Sequence, residues 1–144
     1  MYRIRYIRRV DSPGLDERLR EVLLAQETDL VAAYLYGSQA RGTARLGSDV
    51  DIAVLFRTPV AAGPRSRLMD VQRALDATVR EEVQLVDLRS APPDLVHRVL
   101  RDGRLLLDRD RSARIAFEVR SRNEYFDLAP TLRRYRGVSE EIEP

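Results

Sequence analysis

The sequence predicts a single α/β domain, a small sheet with helices packed on it. Three observations carry that expectation. Short apolar runs recur at 30–36, 50–56, 83–88 and 104–108, each about as long as one strand. Between them lie stretches whose apolar residues repeat at three- and four-residue spacing, as in helices with one buried face. With 144 residues and 44% apolar content, the chain can bury one core but has no room for a separate substrate domain.

The elements follow in order. Tyr2, Ile4 and Tyr6 alternate with arginines, which fits a short edge strand or an ordered tail. "DSPG" (11–14) opens a helix with Pro13 near its first turn, and Leu15, Leu19, Val22 and Leu23 form its apolar stripe. "LVAAYLY" (30–36) is a strand ended by Gly37. "SQARG" opens a short helix with Ser38 near its N-terminus, and "TARLGS" (43–48) is a loop. "VDIAVLF" (50–56) is apolar on both faces toward its end, which places it inside the sheet. "RTPVAAGPR" is a loop, and a helix spans roughly 65–82 with Leu68, Val71, Leu75 and Val79 on one face.

"VQLVDL" (83–88) is a third strand, "RSAPPD" breaks the chain, and "LVHRVLRDG" is a short helix closed by Gly103. "RLLLD" is a short fourth strand. A last amphipathic helix covers about 110–126, with Ile115, Val119 and Phe126 along it and Phe126 packed inward. The polar tail "GVSEEIEP" is expected to fray, so the core of the domain runs over about 14–127.

Composition narrows the chemistry. There are no cysteines, which excludes disulfides, thiolate metal sites and cysteine nucleophiles. A single histidine, His97, makes a histidine-rich metal site or a Ser–His triad a poor fit; a place on a helix surface suits it better. All 25 basic residues are arginine, so phosphate contacts must come from guanidinium forks or backbone amides. The 25 basic and 23 acidic residues nearly balance, and Arg133, Arg134 and Arg136 read as a solvated face, with no direct nucleic-acid binding expected. The N-terminus lacks the apolar core of a secretory signal and no apolar run is long enough to span a membrane, so the cytoplasm is the expected location.

The carboxylates remain. Side chains two apart on a strand share a face, about 6–7 Å apart along it, so Asp49 and Asp51 project together. They repel each other, and burying either is costly without a partner. A divalent cation such as Mg²⁺ relieves both costs, because it favours carboxylate and phosphate oxygens. Asp87 is again an acid inside an apolar strand, and if the third strand lies beside the second it reaches the same cluster. Three carboxylates on adjacent strands suit two-metal phosphoryl or nucleotidyl transfer. Gly37 lets a phosphate approach the backbone, Ser38 and the following amides can bind its oxygens, and Arg41 lies one turn beyond. Each residue has a plainer role on its own: Asp49 as a turn or cap, Asp87 as a strand-end acid paired with an arginine. Their combination points to a site.

Gly37-Ser38, ten intervening residues and Asp49-Val50-Asp51 resemble the signature of the polymerase-beta-type nucleotidyltransferase superfamily. "GSQARG…SDVDIAVL", with the softer likeness of "VDLRSAPPDLVHRVLRDGRLLLDRD" and "RIAFEVRSRNEYFD", is similar to the minimal nucleotidyltransferases over about residues 30–127. The resemblance implies a short mixed sheet, Mg²⁺ held by Asp49, Asp51 and Asp87, and the nucleotide phosphates against Ser38. Arg41 matches the family's arginine. Many such proteins are antitoxins encoded beside a HEPN-domain RNase toxin, and similar antitoxins transfer AMP from ATP to a tyrosine of that toxin. The expected function is therefore Mg²⁺-dependent AMP transfer from ATP to a toxin in complex with it, with Asp87 accepting the hydroxyl proton. The alternatives are a nucleotidyltransferase acting on a small molecule such as an aminoglycoside, and a module that neutralises a toxin by contact alone.

Overall fold

The structure, a computed structural model, describes residues 14–26, 29–42 and 49–142, the side chains of Leu132 and 136–142 excepted. The N-terminal strand or tail, the helix start at 11–13 and the loop at 43–48 lie outside the described residues.

Helix α1 (Leu15–Leu24) leads to β1 (Leu30–Tyr36), the short α2 (Gly37–Arg41) and β2 (Val50–Phe56). Then come α3 (Arg67–Thr78), β3 (Val83–Asp87), α4 (Pro93–Asp102), β4 (Arg104–Asp108) and α5 (Arg111–Ile142). The alternation of helices and strands is the one expected. The four strands form one sheet in the order β3-β2-β1-β4. β1 pairs antiparallel with both β2 and β4, and β2 pairs parallel with β3, so the sheet is mixed and β2 is internal.

The near-continuous apolar runs of β1 and β2 have a direct cause, since both faces of the sheet are covered. On one face α1 and α3 bring Leu19, Leu23 and Leu75 against Ile52, Val54 and Phe56, all fully buried. On the other, α4 and α5 bring Val96, Val99 and Phe117 against Tyr34, Ala53 and Leu55. The buried Tyr34 hydroxyl donates to Glu118 Oε1 at 2.8 Å, and Arg114 pairs with both Asp108 and Glu118 at 3.0 Å, tying α5 to the sheet. Burial first, and then the Glu118 carboxylate beside it, push the Tyr34 phenol well above its usual range.

Three helix expectations need correction. Helix α3 stops at Thr78, because Val79 takes an extended conformation (φ −105°, ψ 134°). At its other end Ser66 accepts a hydrogen bond from the Met69 amide and so fixes the start. Helix α5 runs past 126 and through Pro130 to Ile142. Apolar periodicity, which the shorter expectation followed, fades because the later turns face no core: Tyr135 is 72% exposed. Good helix formers around Pro130 sustain the helix despite one missing hydrogen bond. Phe126, expected to pack inward, is 63% exposed, and the buried aromatic of α5 is Phe117. Nine residues are two and a half turns, so the two rings point to opposite sides of the helix.

His97, expected at a helix surface, stacks on Tyr125 with ring centroids 3.7 Å apart and an interplanar angle of 5°, joining α4 to α5. Among the described residues, no helix is long and apolar enough to cross a membrane.

Candidate active site

The site forms where β1 ends and β2 begins. Antiparallel register sets Tyr36 opposite Asp51, so the residue that follows Tyr36 lies against the Asp51 side chain. That residue is Gly37, at φ +70°, and a Cβ built on it would come 2.3 Å from Asp51 Oδ2. Only glycine fits both the left-handed backbone and the space. The chain then turns once through α2 and leaves it at Gly42, also left-handed (φ 72°), whose amide bonds the Ser38 carbonyl. This turn carries Ser38 and Arg41 to the side of the strand on which Asp49 and Asp51 stand.

Those residues line a cleft of about 610 Å³. One wall holds Gly37, Ser38, Arg41, Asp49 and Asp51, and Tyr36, at the end of β1, also lines the cleft. The facing wall is α4, which contributes Leu95, Arg98 and Asp102. None of these three was singled out from the sequence, although their spacing places them on one helix face.

The electrostatics suit a cation. Burial, and then the neighbouring Asp49 charge, push the Asp51 carboxyl up, while Arg41 pulls it the other way. A carboxylate held against its preference for the neutral form gains from a bound cation, and two hard oxygen donors at the start of one strand fit Mg²⁺. Burial, then Asp51, also push the Tyr36 phenol up, with Arg98 opposing. Asp102 is held below the usual carboxylate range, first by the hydrogen bond from Arg101.

Of the residues expected at the site, the structure brings together Gly37, Ser38, Arg41, Asp49 and Asp51. Asp87 is not among those lining the cleft. β3 does lie beside β2, but Asp87 is in register with Val54, three residues beyond Asp51 and therefore about 10 Å along the strand on the other face. Its carboxylate closes its own turn, accepting from the Arg89 amide at 3.1 Å and the Ser90 hydroxyl at 3.0 Å. The β3 residue level with Asp51 is Gln84, whose amide donates to Glu82 Oε1 at 3.2 Å. Among the described residues, no three Asp, Glu, His or Cys side chains are placed to hold one metal ion together.

The chain matches the family model described as polymerase beta, nucleotidyltransferase, over residues 17–112. It is 37% identical over 73 residues to protein adenylyltransferase MntA of Shewanella oneidensis, an alignment covering 51% of this chain. The chain thus spans about half (50%) of the length of that curated relative. A crystal structure of the toxin-antitoxin with AMP-PNP superimposes with a TM-score of 0.72 at 25% identity, covering 90% of this chain and 99% of that one. The structure of tri-AMPylated Shewanella oneidensis HEPN toxin in complex with MNT antitoxin shares the fold, with a TM-score of 0.66 at 22% identity over 90% of this chain and 96% of that one.

Proposed function

Because this chain belongs to the polymerase beta nucleotidyltransferase family, we propose that it transfers AMP from ATP to a tyrosine of a HEPN-domain RNase toxin, and that it is the antitoxin of that pair. The observation that carries the reading is that Gly37, Ser38, Asp49 and Asp51 line one cleft, with Gly37 packed against Asp51. The likeness to MntA, a protein adenylyltransferase, and to the AMP-PNP-bound toxin-antitoxin supports the choice of reaction and partner.

The side chains divide the work. Asp49 and Asp51 would hold Mg²⁺, which when bound supplies neutralising charge for the phosphates and the leaving group. Gly37 leaves room beside Asp51, and Ser38, which lines the same cleft, would receive phosphate oxygens. Arg41 offsets phosphate charge from α2. In the transfer, the tyrosine oxygen bonds to the α-phosphorus, the bond from that phosphorus to pyrophosphate breaks, and the hydroxyl proton leaves to solvent. Asp87, bonded into its own turn, is not placed to take that proton. We assign the pair to the cytoplasm, where an RNase would meet its substrate.

The test mixes the protein with labelled ATP, Mg²⁺ and the HEPN protein encoded beside it. Label should appear on a toxin tyrosine and vanish with Asp49→Asn or Asp51→Asn. Labelling that survives in either variant refutes the metal assignment. Neutralisation by a wild-type protein that never labels the toxin refutes catalysis.

A further inference from the structure

We propose that Arg98 is a second phosphate-binding arginine, holding the nucleotide from the α4 wall opposite Asp49 and Asp51. The inference rests on the proposed function for the identity of the ligand, and on four observations for the residue. First, Leu95, Arg98 and Asp102 follow one another at three- and four-residue spacing on α4 and line the same cleft as the carboxylate pair.

Second, the Arg98 guanidinium makes no hydrogen bond or ion pair among the described residues. The neighbouring arginines are spoken for: Arg101 holds Asp102 at 2.8 Å, Arg104 holds Asp16 at 3.0 Å, and Arg114 holds Asp108 at 3.0 Å. An unpaired arginine that lines the same cleft as Asp49, Asp51 and Asp102 keeps its five donors for an incoming anion.

Third, α4 packs against α2, so the helix that carries Arg98 adjoins the turn that carries Ser38 and Arg41. Fourth, the wall is fixed in place. Val96 and Val99 are buried, and His97 is stacked on Tyr125. A Cβ on Gly103 would lie 2.3 Å from the Val99 carbonyl oxygen and 3.3 Å from that of Leu35, so the end of α4 sits tight against β1. The helix that carries Arg98 is thus held in place, and the planar guanidinium fork matches two phosphate oxygens.

The experiment measures Mg²⁺-ATP binding by calorimetry on the full chain and the kinetics of AMP transfer to the toxin. Arg98→Ala should weaken ATP binding and raise KM about tenfold while leaving kcat within about threefold, the pattern of lost ground-state binding. Arg98→Lys should recover part of the loss, and Arg134→Ala, at an exposed residue outside the cleft, should bind ATP as the wild type does. Unchanged ATP affinity in Arg98→Ala overturns the inference, and so does a variant that keeps ATP affinity and instead loses toxin binding. A wild-type protein that binds ATP but transfers nothing refutes the proposed reaction and leaves Arg98 to be judged by binding alone; one that binds no ATP overturns both.

Discussion

Gly37 and Asp51 are packed so closely that the smallest side chain on the glycine would lie 2.3 Å from Asp51 Oδ2. Gly37→Ala must therefore displace the carboxylate as well as strain a left-handed backbone, which alone costs about 1–2 kcal/mol. AMP transfer should fall at least about a hundredfold, because a 1 Å misplacement at a reacting centre can cost that much. Thermal melts and transfer rates on the same sample separate the two effects. A folded Gly37→Ala protein with full activity would refute the idea that this contact positions Asp51.

The β2–β3 register separates a structural acid from the place a third ligand would occupy. Asp87→Ala removes two hydrogen bonds from the turn after β3. It should lower stability by about 1–3 kcal/mol and leave ATP affinity unchanged. Gln84→Glu adds a carboxylate on the residue level with Asp51 and should tighten Mg²⁺ binding several-fold in calorimetry. The assignment fails if Asp87→Ala, still folded at the assay temperature, loses Mg²⁺ binding.

The two faces of α5 should respond differently to truncation. Phe117→Ala empties a buried site and should cost about 3 kcal/mol or more, read by chemical denaturation. Phe126→Ala removes a ring that is 63% exposed and should change stability by less than about 1 kcal/mol. Equal losses would show that the outward face of α5 is packed against something within the chain.

Asp29 is a pH-dependent tie. Burial pushes its carboxyl up, but hydrogen bonds from Arg67 and Thr58, with the Arg67 charge, bring it down to about 2. A lowered folded pKa means the stabilisation is present above the unfolded value of 3.8 and is lost as pH falls through about 2. Acid titration of stability should show a loss on the order of 1 kcal/mol from this partly exposed pair. Asp29→Asn should be less stable than wild type at pH 7, and the gap should close toward pH 2. A gap independent of pH would mean that the carboxylate charge contributes nothing.

Much of the fold was legible because its signals are local. Strand-length apolar runs announce β1 and β2, which are buried on both faces, and the Leu15, Leu19, Val22, Leu23 stripe announces α1. The Gly37-Ser38 and Asp49-x-Asp51 elements were legible for the same reason, since a turn and a two-residue repeat are properties of short segments. Phe126 was misread because an apolar residue on a helix shows periodicity without showing which side the core lies on.

Local chemistry along the chain thus settled the elements and half of the cleft: the glycine turn, its serine and arginine, and a pair of acids on one strand face. The other half was decided only when strands paired and α4 docked. Backbone hydrogen bonds between β2 and β3 form in any register, so the pairing that sets Gln84 level with Asp51 and carries Asp87 to Val54 follows from how the two cores pack. The docking of α4, sealed at Gly103 against β1, is what brings Leu95, Arg98 and Asp102 across from carboxylates far back in the sequence.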